Sequence, residues 1–166
     1  MTLRESGKPA EPDFVDPLSC YDRPSYRDEV ESALAEMLVA DVKTVPLAMI
    51  DSDARANDAV QRLAEHQIAC LMVMEGDHLV GVFTERDVLM KLAESFDDWH
   101  DRPVREFMTP RPAVVCESDS VASAVCVLAV QGYRHVPVLD VDDEVVGIAS
   151  PNRILDFLQR LLANSE

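Results

Sequence analysis

The sequence predicts a mixed α/β fold of the α+β kind, built from two pseudo-twofold-related β-α-β-β-α repeats packed sheet to sheet. Three observations carry this reading. The 166-residue chain repeats itself at an offset of 66: Pro46 aligns with Pro112, Ser52-Asp53 with Ser118-Asp119, Ala56 with Ala122, Asp77 with Asp143, Val80-Gly81 with Val146-Gly147, Leu89 with Leu155 and Leu92 with Leu158. Within each copy the apolar period changes from helical to strand-like and back to helical. Each copy spans about 55 residues, too few for a comfortable core of its own, so the two are expected to pack together.

Residues 1–24 carry Pro9, Pro12, Pro17 and Pro24 without a period and read as a flexible N-terminal segment. Residues 25–40 read as a helix with Ser25 as N-cap and Val30, Leu34, Met37 and Leu38 on one face, packing on the first repeat or serving a partner. The first repeat, 41–97, opens with a short strand, Leu47 to Ile50. A helix follows, its buried face marked by Ala56, Ala59, Val60, Leu63 and Ala64. The runs Cys70 to Met74 and Leu79 to Phe83 flank the polar turn Glu75-Gly76-Asp77-His78 and make a hairpin. Val88, Leu89, Leu92 and Ala93 mark a closing helix. The linker after it, 98–104, reads as exposed, with Trp99 as an anchor. The second repeat, 105–163, follows the same plan. Its strand is Ala113 to Cys116, its helix is marked by Ala122, Val125, Cys126, Ala129 and Val130, and its hairpin joins Val136–Leu139 to Val145–Ala149. Ile154, Leu155, Leu158, Leu161 and Leu162 mark its closing helix, and residues 164–166 form a tail.

A formal charge of −16 repels nucleic-acid phosphates and argues against a nucleic-acid partner. No apolar run approaches the roughly 20 residues needed to span a bilayer. The start, Met1-Thr2-Leu3-Arg4-Glu5, has no apolar stretch of a leader, so the expected location is cytoplasmic, away from membranes. Cys20, Cys70, Cys116 and Cys126 and the four histidines show no metal-ligand spacing. Three of these cysteines lie inside apolar patterns and read as buried thiols of a reducing compartment. The acidic run Asp140 to Glu144 lacks the spaced oxygens of a calcium loop and reads as a hairpin turn. No nucleophile paired with a base and no phosphate loop is present, so no metal and no enzymatic activity are expected.

The stretches "REFMTPRPAVV" at 105–115 and "YRHVPVLD" at 133–140, with the joins "GVFTERDVL" and "GIASPNRIL", resemble a tandem pair of CBS domains, also called a Bateman module. The resemblance covers roughly residues 38–163. It implies a cleft between the repeats for an adenine nucleotide, AMP, ADP, ATP or NAD, with Mg only as a companion of ATP. It also implies a disc-like homodimer and a regulated protein that reads the bound state. The family's ribose-phosphate motif is complete in Gly81-Val82-Phe83-Thr84-Glu85-Arg86-Asp87. The second copy keeps Gly147 and Ser150 but has Ala149 for the aromatic residue and Arg153 for the aspartate. An ionised Asp87 can accept two ribose hydroxyls, whereas Arg153 only donates. Thr84 stands at a helix start, where phosphate is favoured.

One competent site is therefore expected. It comprises Gly81, Phe83, Thr84, Arg86 and Asp87, completed by Arg134, His135, Val136 and Pro137 of the second repeat, where the aligned positions of the first hold Ile68 and Ala69. Lys43, Thr44 and Val45 are expected to border the base. Two plainer readings stand beside this. Thr84 and Asp87 also fit a capping box, which needs no ligand, and Pro137 fits an edge strand or bulge. The function expected is a non-catalytic regulatory nucleotide sensor, the alternative a structural or protein-interaction module with an unoccupied cleft.

Overall fold

The structure is a computed structural model that describes residues 24–42, 48–92 and 96–163. Lys43, Thr44, Val45, Ala93 and residues 1–23 lie outside the described residues, and with them the expectations placed there.

The described chain runs α1 (Glu29–Glu36), a 3₁₀ turn (Val39–Asp41), β1 (Met49–Asp51), α2 (Ala56–His66), β2 (Cys70–Glu75) and β3 (His78–Thr84). A helical segment follows, α3 (Glu85–Asp87) continued by a π turn over Val88–Leu92, and then α4 (Phe96–Trp99) and a second 3₁₀ turn (Val104–Glu106). The rest is β4 (Thr109–Pro110), β5 (Val115–Cys116), α5 (Val121–Gln131), β6 (Val136–Leu139), β7 (Val145–Ala149) and α6 (Pro151–Ala163). Two sheets result, ordered β1-β2-β3-β4 and β5-β6-β7. In each, the first pair is parallel, as a helical crossover requires, and the hairpin is antiparallel.

Each repeat folds its helix onto one face of its sheet. Ile50, Ala56, Ala59, Leu63, Leu71, Val73 and Phe83 form the first core. Val115, Val121, Ala124, Leu128, Val136, Val138, Ala149 and Ile154 form the second. The other sheet faces meet through Cys70, Met72 and Val82 against Val145, with Met74, Leu79, Leu139 and Ile148 packed around them. The repeats are thus packed sheet to sheet.

The registers correct the repeat. Ile50 pairs with Val73 as Val115 does with Val138, an offset of 65, whereas Val73 faces Gly81 as Val138 faces Gly147, an offset of 66 across the hairpin. The extra residue sits in the second hairpin turn. Asp140 Oδ1 accepts the Asp142 and Glu144 amides there, both at 2.9 Å. The corrected offset moves the buried face of α5. Val121, Ala124 and Leu128 point inward, while Cys126, Ala129 and Val130 are exposed. Of the cysteines described, only Cys70 is buried; Cys116 and Cys126 are exposed.

The lead-in of each repeat belongs to the other. Val39 and Val42 are buried in the second core, where Val39 N donates to Asp119 O at 2.8 Å and Leu38 bridges Ser120. Val104 and Phe107 are buried in the first core, where Val104 N donates to Ala54 O at 2.8 Å and Pro103 bridges Arg55. Helix α1 follows this exchange. It packs on α5 and α6 of the second repeat, not on the first, and Asp28, not Ser25, caps it by accepting the Glu31 amide at 2.9 Å. The linker is also more engaged than expected. Trp99 is buried, and the carbonyls of His100 and Arg102 accept the Asn57 and Ala56 amides at the start of α2, where Arg55 supplies no side-chain cap.

Candidate functional site

The motif Gly81 to Asp87 spans the join from β3 to α3. Thr84, with extended backbone, is the N-cap, and its hydroxyl accepts the Asp87 amide at 3.3 Å. Asp87 Oδ2 accepts in return from Thr84 N at 2.9 Å and from the Thr84 hydroxyl at 2.7 Å. The capping box is therefore formed. Asp87 is only 5% exposed, and its second oxygen is engaged as well. Oδ1 accepts from Lys91 Nζ at 2.7 Å and from the Thr109 hydroxyl at 3.1 Å. Lys91 Nζ also donates to Phe107 O at 2.6 Å and Met108 O at 3.0 Å. Its three donors are filled, and so is each oxygen of the carboxylate.

Gly81 has a reason of its own. A Cβ there would overlap Met108 Sδ, stand 2.9 Å from Met108 Cγ and 3.0 Å from Thr109 O. Only glycine lets β4 lie this close, with Gly81 opposite Pro110 and Val82 opposite Thr109. The lead-in of the second repeat thus stands beside Asp87. Neither Lys91 nor Thr109 was among the residues expected. The four-residue spacing from Asp87 to Lys91 is a signal that could have found the lysine, whereas Thr109 reaches the site only through the exchange of lead-ins.

The other expected residues separate. The side chains of Phe83 and Val136 are fully buried in the cores of the first and second repeats, so it is Val82 that faces the opposite sheet. Pro137 is fully buried between Val136 and Val138 and, by strand alternation, lies on the other face, toward the first sheet. It is in the central strand, not an edge. Its counterpart Met72 donates its amide to Ala48 O at 2.9 Å. Proline has no such donor, and β5 is two residues where β1 is three. Arg86 and Arg134 are exposed, and His135 is half-buried. Burial pushes the His135 pKa down, against the nearby Glu85 carboxylate, which pulls it up; Arg134 lowers it further. Glu85, inside the motif of the first repeat, thus acts on His135 at the strand entry of the second. With the corrected offset, the first repeat offers Ala69 and Cys70 where the second has Arg134 and His135. Burial, and then the Asp87 charge, push the Cys70 thiol up to about 12, so it stays protonated.

Among the described residues no group of three or more His, Cys, Asp or Glu side chains could hold a metal ion, and no helix is long and apolar enough to cross a membrane.

Fold and site together define a tandem-repeat module whose facing sheets bring the helix start of one repeat to the strand entry of the other. The family model of the CBS domain matches residues 39–94 and 104–160, and the chain belongs to that family. It is 29% identical over 125 residues to a 17.7 kDa protein of Acidianus ambivalens, covering 75% of this chain and 73% of that one. It is 30% identical over 87 residues to the Arabidopsis thaliana CBS domain-containing protein CBSCBSPB5, covering 52% of this chain but 16% of that relative's length. The fold matches the crystal structure of CBSX2 in complex with AMP at 26% identity and a TM-score of 0.65, over 75% of this chain and 97% of that one. It also matches the CBS domain pair of MJ0100 in complex with 5′-methylthioadenosine and S-adenosyl-L-methionine, at 26% identity and a TM-score of 0.64, over 73% and 98%.

Proposed function

We propose that this protein is a non-catalytic regulatory module that binds one adenine nucleotide, of the AMP, ADP, ATP or NAD class, at the Thr84–Asp87 helix start and signals its occupancy to a partner protein. The observation that carries this reading is the asymmetry of the two joins. Both start a helix, but only the first adds a carboxylate, Asp87, and the neighbouring Glu85 is near enough to act on His135 at the other repeat's strand entry. Arg134 and His135 supply donors for phosphate, and Asp87 supplies acceptors for ribose. Structures of similar fold with AMP, or with 5′-methylthioadenosine and S-adenosylmethionine, support an adenosine-bearing ligand. Calorimetry of the full chain with AMP, ADP, ATP and NAD tests it. Binding by none of them, or undiminished binding by Asp87→Ala, would sink the proposal.

A homodimer completes the reading. Leu89 and Met90 are 72% and 74% exposed on the π turn, and Leu155 and Leu162 are exposed on α6, which suits burial against a second copy. Sedimentation equilibrium giving a monomer at micromolar concentration would remove this part.

One observation favours the alternative, an interaction module with an empty cleft: the Asp87 carboxylate is already satisfied internally. That reading predicts partner capture unaffected by nucleotide.

A further inference from the structure

We propose that the hydroxyls of Thr84 and Thr109 occupy, on Asp87, the two positions that a ribose cis-diol takes when nucleotide binds, so that the ligand-free site is closed by an internal stand-in for its own ligand. This rests on the proposed nucleotide function and adds what the ligand must displace.

The four donors on Asp87 fall into two kinds. Thr84 N is fixed in the backbone of the cap, and Lys91 Nζ is held by two further carbonyls, Phe107 O and Met108 O. Neither can leave without breaking other bonds. The remaining two are hydroxyls on rotatable side chains, of which Thr84 Oγ1 also accepts the Asp87 amide at 3.3 Å, a bond its turning would give up. Thr84 Oγ1 sits on Oδ2 at 2.7 Å and Thr109 Oγ1 sits on Oδ1 at 3.1 Å, one on each carboxylate oxygen. Two vicinal hydroxyls would meet a carboxylate in this same pattern. With Asp87 buried and each of its oxygens filled, a diol gains a place only where these rotors turn away. The exchange replaces two hydroxyl donors by two others, so the Asp87 contact gains less than it would on an unoccupied carboxylate, and the base and phosphate contacts supply the rest. Thr109 belongs to the second repeat's lead-in, so turning its rotor registers nucleotide on the strand that ties the repeats together.

The test is the sign of a deletion. Thr109→Val keeps the shape and removes the competitor, so AMP binding measured by calorimetry on the full chain should tighten by roughly tenfold, about 1.4 kcal/mol. Thr109→Ser keeps the hydroxyl and should bind as wild type. Weaker or unchanged AMP binding by Thr109→Val overturns the proposal, as does tightening by Thr109→Ser. Failure of the wild-type chain to bind AMP, ADP, ATP or NAD is a different result, and it removes the nucleotide function itself. Should the valine chain not fold, methyl NMR of wild-type threonines decides: AMP saturation must shift both the Thr84 and Thr109 methyl signals, and a Thr109 signal that stays in place overturns the inference.

Discussion

Replacing Lys91 by methionine removes the ammonium and keeps most of the stem, which isolates the polar role of this residue. Lys91 Nζ makes bonds of 2.7, 2.6 and 3.0 Å to Asp87 Oδ1, Phe107 O and Met108 O. Its removal leaves the Asp87 carboxylate, 7% exposed in its side chain, without a counterion. Breaking a fully buried pair costs about 3–5 kcal/mol. The lysine side chain is 38% exposed, so water can reach part of the vacated position and the loss should be smaller. A charge-assisted hydrogen bond is worth about 1.5–3 kcal/mol, which places the expected destabilisation of Lys91→Met at about 2 kcal/mol. For a chain of this size that lowers the melting temperature by roughly 4–8 °C. Urea unfolding of both proteins measures it, with the midpoint falling and the slope unchanged. A double-mutant cycle with Asp87→Asn should return a coupling of at least ~1 kcal/mol. A loss below about 0.5 kcal/mol, the range of an exposed ion pair, would refute the reasoning.

Other expectations concern separate parts of the molecule. Gly81→Ala should lower stability by about 1–2 kcal/mol by overpacking, because Met108 Sδ can swing away but the Thr109 carbonyl cannot; an unchanged thermal midpoint would contradict the close approach of β4. Gln67 ends α2 in the left-handed region at φ 51, where α5 has Gly132 at φ 66, so Gln67→Gly should stabilise the chain by roughly 0.5–1 kcal/mol in denaturant titration. His135 has a folded pKa below its ordinary value, so below about pH 6.5 the unfolded chain holds more protons there and stability falls with acid. His135→Gln should flatten that slope between pH 7 and 5, and an equal slope in both chains would exclude His135 as its source. In the proposed site a phosphate favours the protonated imidazole, so AMP affinity should rise as pH drops over the same window in wild type and not in His135→Gln, as calorimetry at several pH values would record.

What the sequence made legible followed from side chains whose pattern has a phase. The hairpins could be placed because apolar runs stop at polar turns, and α6 because its leucines and isoleucine keep one face. Helix α5 could not be oriented, since "VASAVCVLAVQ" is apolar nearly all round and any face satisfies the period. The single-residue difference between the hairpin turns then hid behind identities that happen to agree at 66. At the site, Thr84 and Asp87 were legible as a cap and as an acceptor, and the structure has them bonded to each other. Of the partners that complete the carboxylate, Lys91 left a trace in its four-residue spacing from Asp87, whereas Thr109 depends on an exchange of lead-ins that leaves none. Arg134 and His135 were singled out by asking what the second repeat has that the first lacks, a comparison that the corrected offset leaves standing, with Ala69 and Cys70 at the aligned positions.

The exchanged lead-ins also govern how the chain can be made. Val39 and Val42 belong to a core whose other walls, Val121 and Leu128, are synthesised long after them, and the first core stays open until Val104 and Phe107 have followed. The first repeat cannot finish folding as it leaves the ribosome. The early valines must wait, exposed, through the whole first repeat, and closure then depends on pairings far apart in sequence, which are slow to form. A stalled or truncated chain ending near Trp99 would therefore present an open first core together with the unburied Val39 and Val42. It should be recognised as unfinished by proteases and chaperones, although it would carry the whole Gly81 to Asp87 motif.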